Sequence, residues 1–143
     1  MGGIRNLQQV TFNPKDLGLN GVTFASERNS SAFGAQGFNQ MRVHYEVTRV
    51  AATDLSFYIE AAAPGSSNYG RGRFGDVDTS GAVTAMTTYY PHQYVVPAMA
   101  TAANQNGYFD IPINEEGNMR LGGIVGTAAT TDTLRMWITL GVV

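Results

Sequence analysis

No cysteine occurs in this chain, which excludes a disulfide framework, a thiolate nucleophile and a cysteine-ligated metal, and points to synthesis in a reducing compartment. Charge is scarce. Charged residues make up 14% of the sequence, against about 25% in ordinary soluble domains, and the formal net charge is -2. That balance leaves no basic face of the kind that neutralises nucleic-acid phosphates. Long apolar runs are missing too, since a membrane span needs about 18 consecutive apolar residues. The start Met1-Gly2-Gly3-Ile4-Arg5-Asn6 has no apolar signal-peptide core, and Asn6 stands where myristoylation expects Ser or Thr. A soluble, unprocessed chain without membrane or nucleic-acid partners is expected.

What is present is a chain of 143 residues, the size of one domain, able to bury roughly two-thirds of its unfolded surface. Eight arginines accompany a single lysine, Lys15, a bias found at contact surfaces. Two segments resemble each other: Ala51-Ala52-Thr53-Asp54 followed by Leu55, Phe57, Ile59 and Ala61 on alternate positions, and Ala129-Thr130-Thr131-Asp132-Thr133 followed by Leu134, Met136, Ile138 and Leu140. A period of two marks half-buried strands, and each Thr-Asp pair reads as a corner closed by its own side chain. The register predicts Leu55, Phe57, Ile59, Leu134, Met136 and Ile138 inside, with Glu60 and Arg135 outside.

Further strands are predicted at Met41 to Val47, Ala82 to Tyr90, Gln93 to Val96, Tyr108 to Ile113 and Asn118 to Val125. Pro91 and Pro97 limit those between them. Met41 to Val50 and Leu55 to Ala61 read as an antiparallel hairpin, with a bulge at Arg49-Val50. Asn20-Gly21 reads as a turn. Ser26 to Gln40 and Pro64 to Gly81 lack any period and are rich in breakers, so both are expected as long surface loops. About eight strands and no helical stripe beyond two turns define an all-β fold, a two-sheet β-sandwich or Greek-key jelly roll, with a closed barrel as the alternative. Residues 1–17 form an N-terminal arm or edge strand, and 18–143 the single sandwich domain.

Motifs with chemistry are few. Asp76-Val77-Asp78-Thr79-Ser80-Gly81 copies the first half of a calcium loop, with Asp76, Asp78 and Ser80 as oxygen donors, but the bidentate Glu expected at the twelfth position is Thr87. Arg71-Gly72-Arg73 suits an anion or a neighbouring acidic surface. His44 and His92 have no metal-ligand spacing, Glu46 and Glu60 read as solvated acids on adjacent strands, and no Gly-x-Ser-x-Gly elbow occurs. No cofactor and no catalytic residue is assigned. Tyr69, Phe74, Tyr89, Tyr90 and Tyr94 form either a sugar-stacking platform or contact residues. Interface candidates are Ile4, Leu7, Arg28, Phe33, Phe38, Tyr69, Arg71, Arg73 and Phe74; Phe33 and Phe38 serve as anchors only if they are exposed.

The abundance of Gly, Ala, Thr and Asn, the lack of Cys, the long loops, and Gly123-Ile124-Val125-Gly126 ahead of Thr131-Asp132-Thr133-Leu134-Arg135-Met136-Trp137 resemble small virion proteins of tailed bacteriophages. Within that group the size is similar to decoration or cement proteins. The resemblance implies a non-enzymatic, homotrimeric protein on the capsid surface of the virion, made in the host cytoplasm. It would clamp the major capsid protein with its loops and arm. A carbohydrate-binding module and a tail or neck component are the alternatives.

Overall fold

Alternation of apolar and polar side chains sets most of this fold. The computed structural model describes residues 9–48, 54–71, 73–77, 83–88, 94–96, 104–113, 117–127 and 131–143; of these, 71, 73–77, 83–88 and 94–96 are described through their backbone. In chain order come β1 (Gln9–Phe12), the helical turn α1 (Pro14–Leu17), β2 (Asn20–Thr23), β3 (Phe33–Gly34), β4 (Gln40–Thr48), β5 (Leu55–Ala61) and β6 (Gly70–Arg71). These are followed by β7 (Arg73–Val77), β8 (Val83–Thr88), β9 (Tyr94–Val96), β10 (Gln105–Pro112), β11 (Asn118–Val125) and β12 (Thr133–Gly141). The fold is all-β, as expected.

One five-stranded sheet has the order β1-β12-β4-β10, with β2 also on β12; a second has the order β3-β11-β5-β6, with β9 also on β5; β7 and β8 form a two-stranded ribbon. Both large sheets are antiparallel throughout. Their apolar faces meet in a single core of Met41, Val43 and Val47 from β4, Leu134, Met136, Ile138 and Leu140 from β12, Leu55, Phe57 and Ile59 from β5, and Met119 and Leu121 from β11. The sandwich is closed across its middle by the edge-on contact of Phe57 with Phe109 of β10, 5.6 Å between centroids, and at one side by Phe12 against Phe33 at 5.5 Å. Each fully buried Leu, Ile or Phe contributes about 1.5–3 kcal/mol by leaving water, and that sum holds the sheets together.

The inward set Leu55, Phe57, Ile59, Leu134, Met136 and Ile138 is buried and Arg135 is exposed, as the alternation predicts. Glu60 is the exception, only 7% exposed. It faces outward, but Arg120 closes on it with a 2.8 Å ion pair, Nε to Oε1, and Gly122 leaves room, since a Cβ there would lie 2.1 Å from Glu60 Oε1.

Several expected connections differ. β4 and β5 are not a hairpin: β4 pairs with β10 and β12, and β5 with β6, β9 and β11. The two strands lie in different sheets and oppose each other across the core rather than pairing side by side. Glu46 and Glu60 therefore lie on opposite outer faces. The expected bulge at Arg49-Val50 lies outside the described residues. Asn20-Gly21 makes no turn; Gly21, at φ 72°, is the extra residue of a bulge where Val22 faces Leu134 and Asn20 faces Arg135.

Ser26 to Gln40 is the long irregular stretch expected, and it also lines an edge of the second sheet. Arg28 exchanges both backbone hydrogen bonds with Ile124, the Ser30 amide donates to the Leu121 carbonyl, and β3 pairs with β11. Side chains stand in for missing ladder bonds: the Leu121 amide donates to Ser30 Oγ at 2.9 Å and the Gly123 amide to Asn29 Oδ1 at 3.1 Å. Polar side chains that replace ladder bonds leave no hydrophobic period to read. Likewise Pro64 to Gly81 contains β6 and β7, the latter paired with β8.

The first edge of the five-stranded sheet is split. β1 and β2 run collinear on β12, and between them Asn13 caps α1 through a capping box, accepting from the Asp16 amide at 2.9 Å while its own amide donates to Asp16 Oδ2 at 3.0 Å. A helical turn inserted into an edge interrupts its template for pairing with other chains.

The corner residue Asp54 bonds far along the chain: its Oδ1 accepts from the Thr127 amide at 2.6 Å, 73 residues away. Asp132 is fully buried. Gly126 lies so close to the first corner that a Cβ would fall 2.2 Å from the Asp54 carbonyl oxygen. Gly126→Ala is therefore expected to lose about 1–3 kcal/mol of unfolding free energy in urea, the usual cost of overpacking. Gly70→Ala, with nothing within 4 Å of its Cβ position, should change it by less than about 0.5 kcal/mol. Equal stabilities for the two variants would contradict this packing of the first corner.

Candidate functional site

The outward side chains of β10, β4 and β12 form a regular lattice, because the three strands are paired in register along nearly their whole lengths. In β4 the inward residues leave Arg42, His44 and Glu46 on the outer face. In β12 the same alternation presents Arg135, Trp137 and Thr139, and in β10 Asn106, Tyr108 and Asp110. Register then aligns them across the strands. Tyr108 stands opposite His44, and His44 opposite Trp137, giving a central aromatic row. On one side lies the row Asp110, Arg42, Thr139, continued on β1 by Thr11; on the other lies Asn106, Glu46, Arg135.

Each flanking row contains one ion pair. Arg42 grips Asp110 with two bonds, Nε to Oδ1 at 2.6 Å and Nη2 to Oδ2 at 2.8 Å. Arg135 Nη2 meets Glu46 Oε1 at 2.6 Å. All four groups are at least two-fifths exposed, so each pair is worth only about 0–1 kcal/mol to stability. Their effect is local order. The Arg42 guanidinium lies 4.2 Å from the Tyr108 ring centroid and that of Arg135 lies 5.7 Å from Trp137, both within cation–π range, while His44 and Tyr108 sit 5.6 Å apart.

Over the central row the surface sinks into an open depression of about 520 Å³, bordered by Thr11, His44, Glu46, Asn106, Tyr108 and Trp137. Tyr108 is 56% exposed. Arg42 braces one side of the Tyr108 ring, its guanidinium 4.2 Å from the centroid. Tyr45, a neighbour on the inner face, is 7% exposed, and burial raises its hydroxyl above the ordinary value of 10.0. Among the described residues, no three His, Asp or Glu side chains come together to hold a metal.

The residues singled out from sequence lie elsewhere. Ile4 and Leu7 are outside the described residues. Arg28 is a structural clamp: its Nε donates to the Thr23 carbonyl and its Nη2 to Thr23 Oγ1 at 3.1 Å, tying the end of β2 to the β11 edge. Phe33 is 3% exposed and part of the core, and Phe38 is half-buried against it. The Phe33 ring is therefore not free to anchor a partner. Tyr69 is half-buried beneath the Arg120 guanidinium, 4.5 Å from its centroid. Arg71 stands in β6 opposite Glu60, and Arg73, Phe74 and Asp76 lie along β7 opposite Thr88, Thr87 and Ala85. Asp76 lies in extended strand; Asp78 and Ser80 lie outside the described residues, as do Tyr89, Tyr90 and His92, while Tyr94 begins β9. The aromatic row was missed because its members are far apart in sequence. The available signal was the outward set of each regular strand, an aromatic ring two residues from an arginine or an acid.

The paired guanidinium, through its hydrogen bonds and then its charge, holds the Asp110 carboxyl below the ordinary 3.8, with His44 adding in the same direction against the opposing effect of partial burial. The same bond raises Arg42. Since the folded value is the lower one, the pair's small contribution is present above the unfolded value of about 3.9 and is lost as pH falls through the folded one. A carboxyl-carbon NMR titration should place the Asp110 midpoint below 3.8, and Arg42→Ala should bring it back up. An unmoved midpoint in that variant would disprove the coupling.

Neither the protein-family models nor the curated proteins contain a match to this chain. Among solved structures it is similar to the crystal structure of SPBc2 prophage-derived protein YomS, with a TM-score of 0.50 and 11% identity over 93% of each chain. At that identity the likeness is one of fold, and it extends through both sheets of the sandwich.

Proposed function

We propose that this chain is a non-enzymatic structural protein of a bacteriophage particle, which binds the capsid shell from outside and stabilises it. The observation that carries the proposal is the match of fold over 93% of both chains to a prophage-derived protein. The low charge and the preference for arginine over lysine agree with a protein that works in contact with others. A protein that binds only the assembled shell shifts the assembly equilibrium by mass action, without any chemistry of its own.

With Arg28 and Phe33 committed to the sandwich, the contact surfaces are the N-terminal segment carrying Ile4 and Leu7, the half-buried Phe38, and the stretch from Tyr69 through Arg71 and Arg73 to Phe74. The first precedes an edge strand of one sheet and the last continues an edge of the other. Contacts at edges leave the broad outer faces open. In this arrangement the partner is the major capsid protein, and the protein acts as a homotrimer.

The test is co-sedimentation of the purified protein with expanded shells and, separately, with tail fractions of the phage that encodes it. Saturable pelleting with shells is expected, and removal of residues 1–8 should weaken it at least about tenfold, or about 1.4 kcal/mol. Light scattering should give three times the chain mass. Pelleting with tails alone would transfer the protein to the tail or neck, and pelleting with neither would refute the proposal.

A further inference from the structure

The geometry points to a second binding activity: we propose that the depression over the Tyr108, His44 and Trp137 row binds a neutral oligosaccharide. The proposal does not rest on shell binding, because it uses a sheet face rather than the segments assigned to the capsid.

Size and shape fit first. About 520 Å³ falls within the range of small-molecule sites, roughly 300–1,000 Å³. The three rings span two strand spacings, about 9.5 Å, so the platform is longer than one sugar ring and suits a short chain of them. The groove is open rather than enclosed, which admits an internal stretch of a longer polymer.

The chemistry is that of a polyol with apolar faces. Aromatic rings carry a negative π face, and the axial C–H groups of a pyranose present a weakly positive, apolar face to it. Around the rings stand neutral groups that both donate and accept. Asn106 is exposed and offers an amide. The Thr11 and Thr139 hydroxyls lie 3.2 Å apart and share one hydrogen bond, leaving acceptor capacity and one proton free to turn outward. A polar rim of this kind is unsuited to a purely apolar peptide.

Charge excludes the anionic ligands. Among the described residues, the arginines of this face, Arg42 and Arg135, are already held by Asp110 and Glu46. A phosphate, sulfate or uronate at either guanidinium would lie beside its carboxylate and be repelled by it. A neutral glycan meets no such repulsion. Preorganisation also favours binding, since the rings are braced by the same arginines on three hydrogen-bonded strands, so little side-chain freedom is lost on contact.

Trp137 is the single tryptophan of the chain, so intrinsic fluorescence reports directly on the site. The full-length protein should be titrated with cellohexaose, maltohexaose, xylohexaose and N-acetylchitohexaose, and screened on an array of neutral glycans, with inorganic phosphate and a hexagalacturonate as anionic controls. A saturable emission change with at least one neutral glycan and none with the anions is expected. Tyr108→Ala should weaken that binding about tenfold, while Tyr69→Ala, on the opposite sheet, should leave it unchanged. If Tyr108→Ala fails to fold by circular dichroism, Asn106→Ala, at an exposed position, takes its place with a weaker but measurable loss. Silence across the neutral panel, binding indifferent to these substitutions, or a response only to the anions would overturn the proposal. Shell co-sedimentation of Tyr108→Ala should be unaltered, so failure here leaves the capsid proposal standing, and the reverse.

Discussion

Strand β4 is hydrogen-bonded to β12 along all nine of its residues and to β10 along eight, and this two-sided pairing is the constraint on which the rest depends. A strand has a side-chain period of two, so a slip of one residue would exchange its faces. In the observed register Met41, Val43, Tyr45 and Val47 enter the core, and Arg42, His44 and Glu46 are displayed. Burial of the first set is worth several kcal/mol, whereas the ion pairs of the second are worth about one or less each. The core therefore determines the register, and the outer lattice of rings and ion pairs follows from it.

The second sheet solves a different problem, that of covering its edges and the buried carboxylate of Glu60. Arg120 and the room left at Gly122 let Glu60 sink to 7% exposure. Along the outer side of β11, Arg28 to Gly34 completes the ladder with a mixture of backbone and side-chain bonds. Arg28 then reaches back to Thr23, so this edge is tied to the end of β2 in the opposite sheet. Residues that look like a recognition loop are in fact a seam.

What was legible in the sequence was the inward face of each regular strand. Leu55 to Ala61 and Asn118 to Val125 were found with the bounds they have, because strong alternation is a local property. Pairing is not local. Nothing within Met41 to Ala61 tells a hairpin from a crossing between sheets, since both bury the same alternate residues. The pairing within Ser26 to Gln40 was illegible because Asn29 and Ser30 supply ladder bonds from side chains, which leaves no period. Glu60 was misjudged because the Arg120 that covers it is 60 residues away. For the same reason the aromatic row was invisible: Tyr108, His44 and Trp137 each appeared as an ordinary outward residue until register joined them.

The two proposals use different parts of the sandwich, the edge segments for the particle and an outer sheet face for a glycan. The core and the proposed glycan face both require that His44 lie between Tyr108 and Trp137, which makes the register of β10, β4 and β12 the central claim. A NOESY spectrum tests it most directly. The register predicts cross-strand contacts from His44 to both Tyr108 and Trp137, and from Arg42 to both Asp110 and Thr139. Contacts from His44 to Phe109 and Ile138 instead, the pattern of a one-residue slip, would contradict both the core and the site built upon it.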